Sequence, residues 1–298
     1  MTLADAATLR TRLAHKPIVV APGVYDALTA HLAERAGFST LYVSGAAIAY
    51  TRLGRPDIGL VAMNEVADII SMISDRVRAD LIVDADTGYG NALNVSRTMR
   101  LFERAGARAI QLEDQAFPKR CGHLDDKALI SAEEMVGKIK AALDARHSSD
   151  TLIIARTDAV AVEGFDRAVS RAVSYRDAGA DVLFVEAPKT RAELERIQPA
   201  VNNVPLIANM VEGGKTPPLK ATELEAIGFS LVIFPGAIVR VLARAANEFY
   251  ASLGAEGTSE PFQDRMYDFT ALNDVIGTPE MIALGKRYEA NAKKGHDK

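Results

Sequence analysis

The chain holds a single cysteine, Cys121, and no tryptophan. One thiol cannot form an intrachain disulfide, so the cysteine count gives no sign of an oxidising compartment. No apolar run approaches the roughly 18 residues of a membrane span. No basic block interrupts a net charge of −4. Neither nucleic acid nor an anionic membrane is therefore expected as a partner. Residues 1–16 lack the apolar centre of a signal peptide and are predicted to form a short helix. The expected location is cytoplasmic. No Gly-x-Gly-x-x-Gly follows the first apolar run, which counts against an open, doubly wound sheet.

What is present is ample core material: 48% hydrophobic and 25% charged residues over 298 positions, enough for one large domain or two ordinary ones. Short β-branched apolar runs recur at residues 18–21, 40–44, 81–85, 109–112, 152–155, 182–185, 205–208 and 231–234. Helical periodicity follows each of them, at 25–36, 64–76, 93–105, 132–145, 165–178, 191–200, 222–227 and 238–253. Ala-Gly closes three of these helices, at Gly37, Gly106 and Gly179, as left-handed C-caps do. Eight alternating units predict an α/β fold, a (β/α)₈ TIM barrel over residues 1–253. Residues 254–298 read as a C-terminal helical extension, a polar tail around an amphipathic segment, 281–288. Such a tail cannot bury itself alone and is expected to pack on the barrel or on a neighbouring subunit.

Chemistry in a barrel collects where strands end. Asp84 and Asp86 follow one strand two residues apart, a spacing that puts both on the interior face, and Glu113 ends the next strand. Three acids around one point repel unless a cation joins them, and a hard ion such as Mg²⁺ or Mn²⁺ suits oxygen donors. Helix capping and salt bridging are the ordinary alternatives. Arg156 can grip a substrate carboxylate with both arms of its guanidinium, and can equally pair with Glu186 or Asp158. Ser44, Gly45 and Ala46 offer small side chains and backbone N–H groups to a carboxylate or enolate oxygen. The loop Gln115-Ala116-Phe117-Pro118-Lys119-Arg120-Cys121-Gly122-His123-Leu124 is long and dense in reactive types. Its cations are expected to lower the Cys121 pKa toward neutrality and to make the thiol a proton donor or acceptor. A Cys/His nucleophilic hydrolase is the competing chemistry; zinc is disfavoured by having one cysteine and one nearby histidine.

Four runs carry a resemblance: Asp84-Ala85-Asp86-Thr87-Gly88-Tyr89-Gly90, Glu113-Asp114-Gln115, Lys119-Arg120-Cys121-Gly122-His123 and Arg156-Thr157-Asp158-Ala159. In that order they resemble the isocitrate lyase/phosphoenolpyruvate mutase superfamily, over about residues 24–239. The cysteine loop is similar to that of its lyase branch, the 2-methylisocitrate and 2,3-dimethylmalate lyases, and not to that of the phosphonate-forming mutases. The resemblance implies a barrel whose last helix is exchanged between subunits, in dimers that pair into tetramers. It implies Mg²⁺ on Asp84 and, through water, on Asp57, Asp86 and Glu113. It places a small carboxylate substrate on Ser44, Gly45, Ala46 and Arg156, under a mobile loop bringing Lys119, Gly122 and His123 to it. The implied reaction is retro-aldol cleavage of a 2-hydroxy di- or tricarboxylate to a 2-oxo acid such as pyruvate. Tyr42 is the candidate base, Cys121 the acid, and Glu186 with Asn209 would organise the far end of the substrate. Ser44-Gly45-Ala46-Ala47 lacks the further glycine of 2-methylisocitrate lyases. The run Asn209-Met210-Val211-Glu212-Gly213-Gly214-Lys215-Thr216-Pro217 looks more like the dimethylmalate lyase branch. Pro235 stands where the oxaloacetate decarboxylase branch has histidine. Oxaloacetate decarboxylation or hydrolysis at the same site, and a non-catalytic oxo-acid-binding relative, are the other readings.

Overall fold

The computed structural model describes residues 7–124, 126–202 and 204–296. Eight parallel strands close into a barrel in chain order: β1 (Val19–Val24), β2 (Thr40–Val43), β3 (Asp80–Asp84), β4 (Ala107–Glu113), β5 (Leu152–Thr157), β6 (Val182–Val185), β7 (Leu206–Asn209) and β8 (Leu231–Phe234). The last strand returns to the first, with Val19 opposite Leu231 and Pro22 opposite Phe234. The helices are α1 (Leu9–Leu13), α2 (Ala27–Arg35), α3 (Gly45–Ile48), α4 (Met63–Arg76), α5 (Ala92–Ala105), α6 (Ala132–Ala145), α7 (Ala159–Val162), α8 (Phe165–Asp177), α9 (Arg191–Val201), α10 (Ala221–Ile227), α11 (Ala237–Glu256), α12 (Phe269–Ile276) and α13 (Thr278–His296).

Strand alternation divides the apolar residues between two cores. Leu41, Val43, Val83 and Ile110 point outward and are buried beneath Ile70, Ile73, Phe102 and their neighbours on the helices. Tyr42, Ile82, Ala109, Ile154, Phe184, Ile207 and Ile233 fill the interior. Leu9 and Leu13 of α1 join that interior layer beside Leu152, Val182 and Leu231, closing the floor at the strands' N-terminal end. A filled interior and a plugged floor leave the C-terminal end as the place for a site.

Gly37, Gly106 and Gly179 have φ of +96°, +116° and +102°, the left-handed geometry that their position after a helix predicts. The chain separates into two compact units, Met1–Arg240 and Val241–Lys298, with the division inside α11. The second unit starts earlier than residue 254. It holds α12 and α13 as well as the end of α11, so the amphipathic stretch at 281–288 is part of a longer helix. Of the predicted N-terminal helix, α1 covers Leu9–Leu13, and residues 1–6 lie outside the described residues. No helix among the described residues is long and apolar enough to cross a membrane.

Candidate active site

The acids meet at the mouth by a different route from the one their spacing suggests. β3 stops at Asp84, and Asp86 has φ +49°, so a left-handed turn and not strand alternation brings it round. Asp84 Oδ1 accepts hydrogen bonds from the Asp86 backbone N–H and from Gln111 Nε2, each at 3.1 Å. The two carboxylates converge on Gly45: a Cβ there would lie 3.3 Å from Asp84 Oδ2 and 3.4 Å from Asp86 Oδ1. The Lys119 ammonium sits between Asp57, to which it donates, and Asp86 Oδ1 at 2.7 Å. Burial pushes Asp86 up to about 7; Lys119 pulls it down while Asp84 and Asp57 push it further up. Burial also drives Glu113 well above the usual range, against the pull of Arg156.

Among the described residues no three His, Cys, Asp or Glu side chains close on one point as they stand. Lys119 supplies the positive charge that the group needs. Yet Glu113 Oε1 is buried without a hydrogen-bond partner, and every donor is a hard oxygen. Buried, mutually repelling carboxylates with a spare lone pair fit a divalent cation of the Mg²⁺ or Mn²⁺ type.

Arg156 is engaged by both of the acids that the sequence offers it, Asp158 and Glu186. Asp158 grips it through Nε at 2.9 Å and Nη2 at 3.1 Å. Glu113 lies 3.4 Å from Nε and Glu186 lies 3.5 Å from Nη2, while the Phe184 ring lies under the guanidinium. Burial disfavours the Asp158 carboxylate, but Arg156 and Lys127 more than offset it and leave the group at about 2. Glu186 is likewise held below its ordinary value despite burial, by Arg156 and His123. Asn209 donates to Glu186 at 3.1 Å and keeps its own Oδ1 buried without a partner.

The loop lies closed over this array. The Cys121 backbone N–H donates to the Asp57 carbonyl at 3.1 Å. The cationic neighbours do not act on the thiol as expected: Lys119 is engaged by Asp57 and Asp86, and Arg120 points to Asp126 at 3.5 Å. Burial therefore raises the Cys121 pKa, softened by the His123 backbone N–H, and the thiol keeps its proton at neutral pH. This corrects the predicted depression. The Cys/His hydrolase pairing also fails: His123 Nδ1 accepts from the Lys215 backbone at 3.1 Å, and Nε2 faces Glu186 at 3.2 Å.

Tyr42 is corrected as a base. Its hydroxyl donates to Gln111 Oε1 at 2.9 Å, and burial with Asp84 beside it drives the pKa well above the tyrosine range. It is a fixed donor. Ser44 caps α3, its Oγ accepting from the Ala47 N–H at 3.3 Å. Tyr42, Ser44, Ala46, Asp57, Asp84, Lys119, Cys121, Gly122, His123, Arg156, Glu186 and Asn209 line one cavity of about 50 Å³; Asp86 and Glu113 do not reach its wall. That volume is far below the usual range for ligand sites and belongs to a contracted, closed site. A larger hollow of about 750 Å³, lined by Thr8, Arg12, Asp80 and Arg108, lies at the opposite end of the strands.

Three contributors went unread in the sequence. Gln111 fixes both Asp84 and Tyr42, and its place two residues before Glu113 on β4 was a usable signal. Tyr50 and Arg240 also line the cavity; Tyr50 comes from a π-helical turn, Ala49–Leu53, that no periodicity announces.

Comparison with known proteins follows the same motifs. The phosphoenolpyruvate phosphomutase family matches residues 9–253. The chain is 43% identical to 2,3-dimethylmalate lyase of Eubacterium barkeri over 95% of its length and 98% of that protein. It is 49% identical to 2-methylisocitrate lyase of Aeropyrum pernix over 90% of its length and 86% of that protein. Among solved structures, 2,3-dimethylmalate lyase superposes with a TM-score of 0.89 at 36% identity, covering 95% of this chain and 96% of that one. Oxaloacetate acetylhydrolase bound to 3,3-difluorooxalacetate gives 0.89 at 33% identity over the same shares. On the matched length and these identities, the chain belongs to the phosphoenolpyruvate mutase/isocitrate lyase superfamily.

Proposed function

We propose that this chain is a divalent-metal-dependent carbon–carbon lyase that cleaves a small 2-hydroxy di- or tricarboxylate, of the 2-alkylmalate or 2-methylisocitrate type, to a 2-oxo acid and a second carboxylate. One observation carries the reading. A half-buried thiol with a raised pKa is held by the loop in the same small cavity as a group of carboxylates and the Arg156 guanidinium. The names of the two relatives support the reaction class.

Arg156, with Ser44 and the backbone of Gly45 and Ala46, would hold the carboxylate beside the reacting carbon. A divalent cation, held by Asp84 with Asp57, Asp86 and Glu113, would supply Lewis-acid polarisation of the forming carbonyl. The C2 hydroxyl proton passes to a carboxylate on the cavity wall, Asp57 or Asp84. The C2–C3 electron pair leaves with the departing carboxylate fragment as its enolised form. The Cys121 thiol delivers a proton to that carbon and becomes a thiolate. A thiol with a raised pKa starts each turnover loaded, and the thiolate it leaves is readily reprotonated. Tyr42 and Gln111 hold Asp84 in place, and Glu186 with Asn209 faces the far end of the substrate.

The second reading, oxaloacetate hydrolysis or decarboxylation at the same site, is favoured by the fit to oxaloacetate acetylhydrolase. Cys121→Ser separates the two. Cleavage of an alkylated malate, followed as 2-oxo acid release, is expected to fall at least about 10³-fold, since a serine is a far weaker acid and general-acid catalysis contributes roughly 10²–10⁴-fold. Unchanged cleavage by Cys121→Ser would remove the thiol from the mechanism.

A further inference from the structure

The base of the active-site loop is pinned by short backbone pairings. Gln115 bridges Leu129, the Ala116 N–H donates to the Ala128 carbonyl at 2.8 Å, and Ile130 donates to Asp114 at 3.0 Å. Just inside this clasp stands Lys127, with 1% of its side chain exposed. Its ammonium donates in two directions, to Asp158 Oδ1 at 2.8 Å and to the Gly122 carbonyl. Asp158 is the carboxylate that grips Arg156. Gly122 joins Cys121 to His123, and it lies so close to the clamp that a Cβ there would sit 2.3 Å from Arg156 Nη2 and 2.8 Å from Glu186 Cγ. One buried cation therefore touches the backbone that carries the thiol and the carboxylate that holds the clamp.

A second layer keeps Asp158 itself from moving. The Asp158 backbone N–H donates to Asp114 Oδ1 at 2.9 Å. Asp114 in turn accepts from Thr157 Oγ1 and Tyr175 OH, each at 2.7 Å, and from Arg171 at 3.2 Å. Asp158 is thus a fixed post on β5 and its flanking residues, whereas the Gly122 carbonyl belongs to the loop. A buried ammonium strongly prefers a full set of acceptors. Pulling the loop away would strip Lys127 of one of them, and the preference is therefore for the closed loop.

We propose that Lys127 is a positioning residue that latches the active-site loop onto the Asp158–Arg156 pair, so that placing Cys121 and orienting the carboxylate clamp become one event. The inference rests on the proposed lyase reading of this site for its meaning, but not for its test. Lys127 touches no reacting atom in this scheme. It acts through Gly122 on the thiol and through Asp158 on the clamp.

Because Cys121 is the sole cysteine, alkylation by iodoacetamide reports loop opening without turnover. The latch predicts that Lys127→Met, at fixed pH, is alkylated at least about tenfold faster than the unmodified protein. It also predicts that oxalate with Mg²⁺ slows alkylation of the parent chain and protects the variant poorly. In turnover, kcat is expected to fall by a larger factor than KM rises, since the loop must close on each cycle. Lys127→Gln, which keeps two N–H donors in place of the ammonium, is the second variant, with an intermediate rate expected. A folded variant alkylated at the parental rate, with only its melting temperature lowered, would make Lys127 a mere counter-charge to Asp158 and overturn the latch. So would failure of both variants to fold, which would assign the residue to the fold. If the parent chain cleaves none of the hydroxy acids, the lyase reading fails while the alkylation ratio still decides the latch.

Discussion

Asp86 shows how a single residue ties charge, burial and cofactor together. Its carboxyl sits at about 7 because burial and the neighbouring Asp84 and Asp57 outweigh Lys119. In an unfolded chain the same group titrates near 3.9. The folded value is raised, so the metal-free fold binds this proton more tightly than the unfolded chain. Stability from this group is therefore full at low pH and is lost as pH rises from about 4 to about 7. A divalent cation held there, as proposed, would replace the proton and would bind better above that window than within it. Added Mg²⁺ is expected to raise Tm by several degrees at pH 8, where a hundredfold excess over Kd stabilises by about 2.7 kcal/mol. At pH 6 the rise should be distinctly smaller, and EDTA should remove it. An equal shift at both pH values, measured by differential scanning fluorimetry, would place the ion away from Asp86. Cys121 and Tyr42 teach a related lesson. The sequence shows which charges lie nearby along the chain, and suggests a lowered thiol pKa and a tyrosinate base. It does not show that Lys119 is spent on Asp57 and Asp86, or that Tyr42 is buried and Cys121 half-buried, and desolvation is the largest cause in both cases.

The loop between β4 and α6 is the element on which the proposed reaction would turn. Its place at the cavity is where its length and residue types point, but its partners were not legible, because contacts such as Lys127 with Asp158 join residues 31 apart in sequence. Gly122 is its tightest point. No left-handed backbone is involved there; the constraint is the 2.3 Å from a Cβ to Arg156 Nη2. Gly122→Ala should therefore leave Tm within about 2 °C, the usual scale of a change outside the packed core, because the loop is displaced and the barrel is not. Lyase turnover should drop about 100-fold or more, as a misplacement on the order of 1 Å does. A variant that melts far earlier, or one that keeps full turnover, would contradict the close approach. The strands themselves were readable, since buried parallel strands appear as short continuous apolar runs. Their ends were less so: β5 runs on to Thr157, where polar residues face the site.

At the scale of the whole molecule, the barrel was legible because eight strand–helix periods repeat with little interruption. The second unit, Val241–Lys298, begins inside α11 and not at residue 254, a boundary the sequence hides because that helix runs on unbroken. Among its described residues only Val275 is buried, while Phe269, Tyr250 and Met281 are 86%, 68% and 67% exposed. We propose that this unit pairs with another copy of the chain, consistent with the resemblance-based expectation of a dimer of dimers. Light scattering should then give a mass that is a multiple of 32.0 kDa, whereas a stable monomer at micromolar concentration would contradict the assembly. The central claim concerns the reaction. Its most direct test is 2-oxo acid release with Mg²⁺ from 2,3-dimethylmalate, 2-methylisocitrate and oxaloacetate in parallel, each with and without EDTA. EDTA-sensitive pyruvate is expected from at least one of the two alkylated hydroxy acids, faster than any turnover of oxaloacetate. Turnover of oxaloacetate alone would contradict this claim and make the chain a hydrolase or decarboxylase built on the same loop.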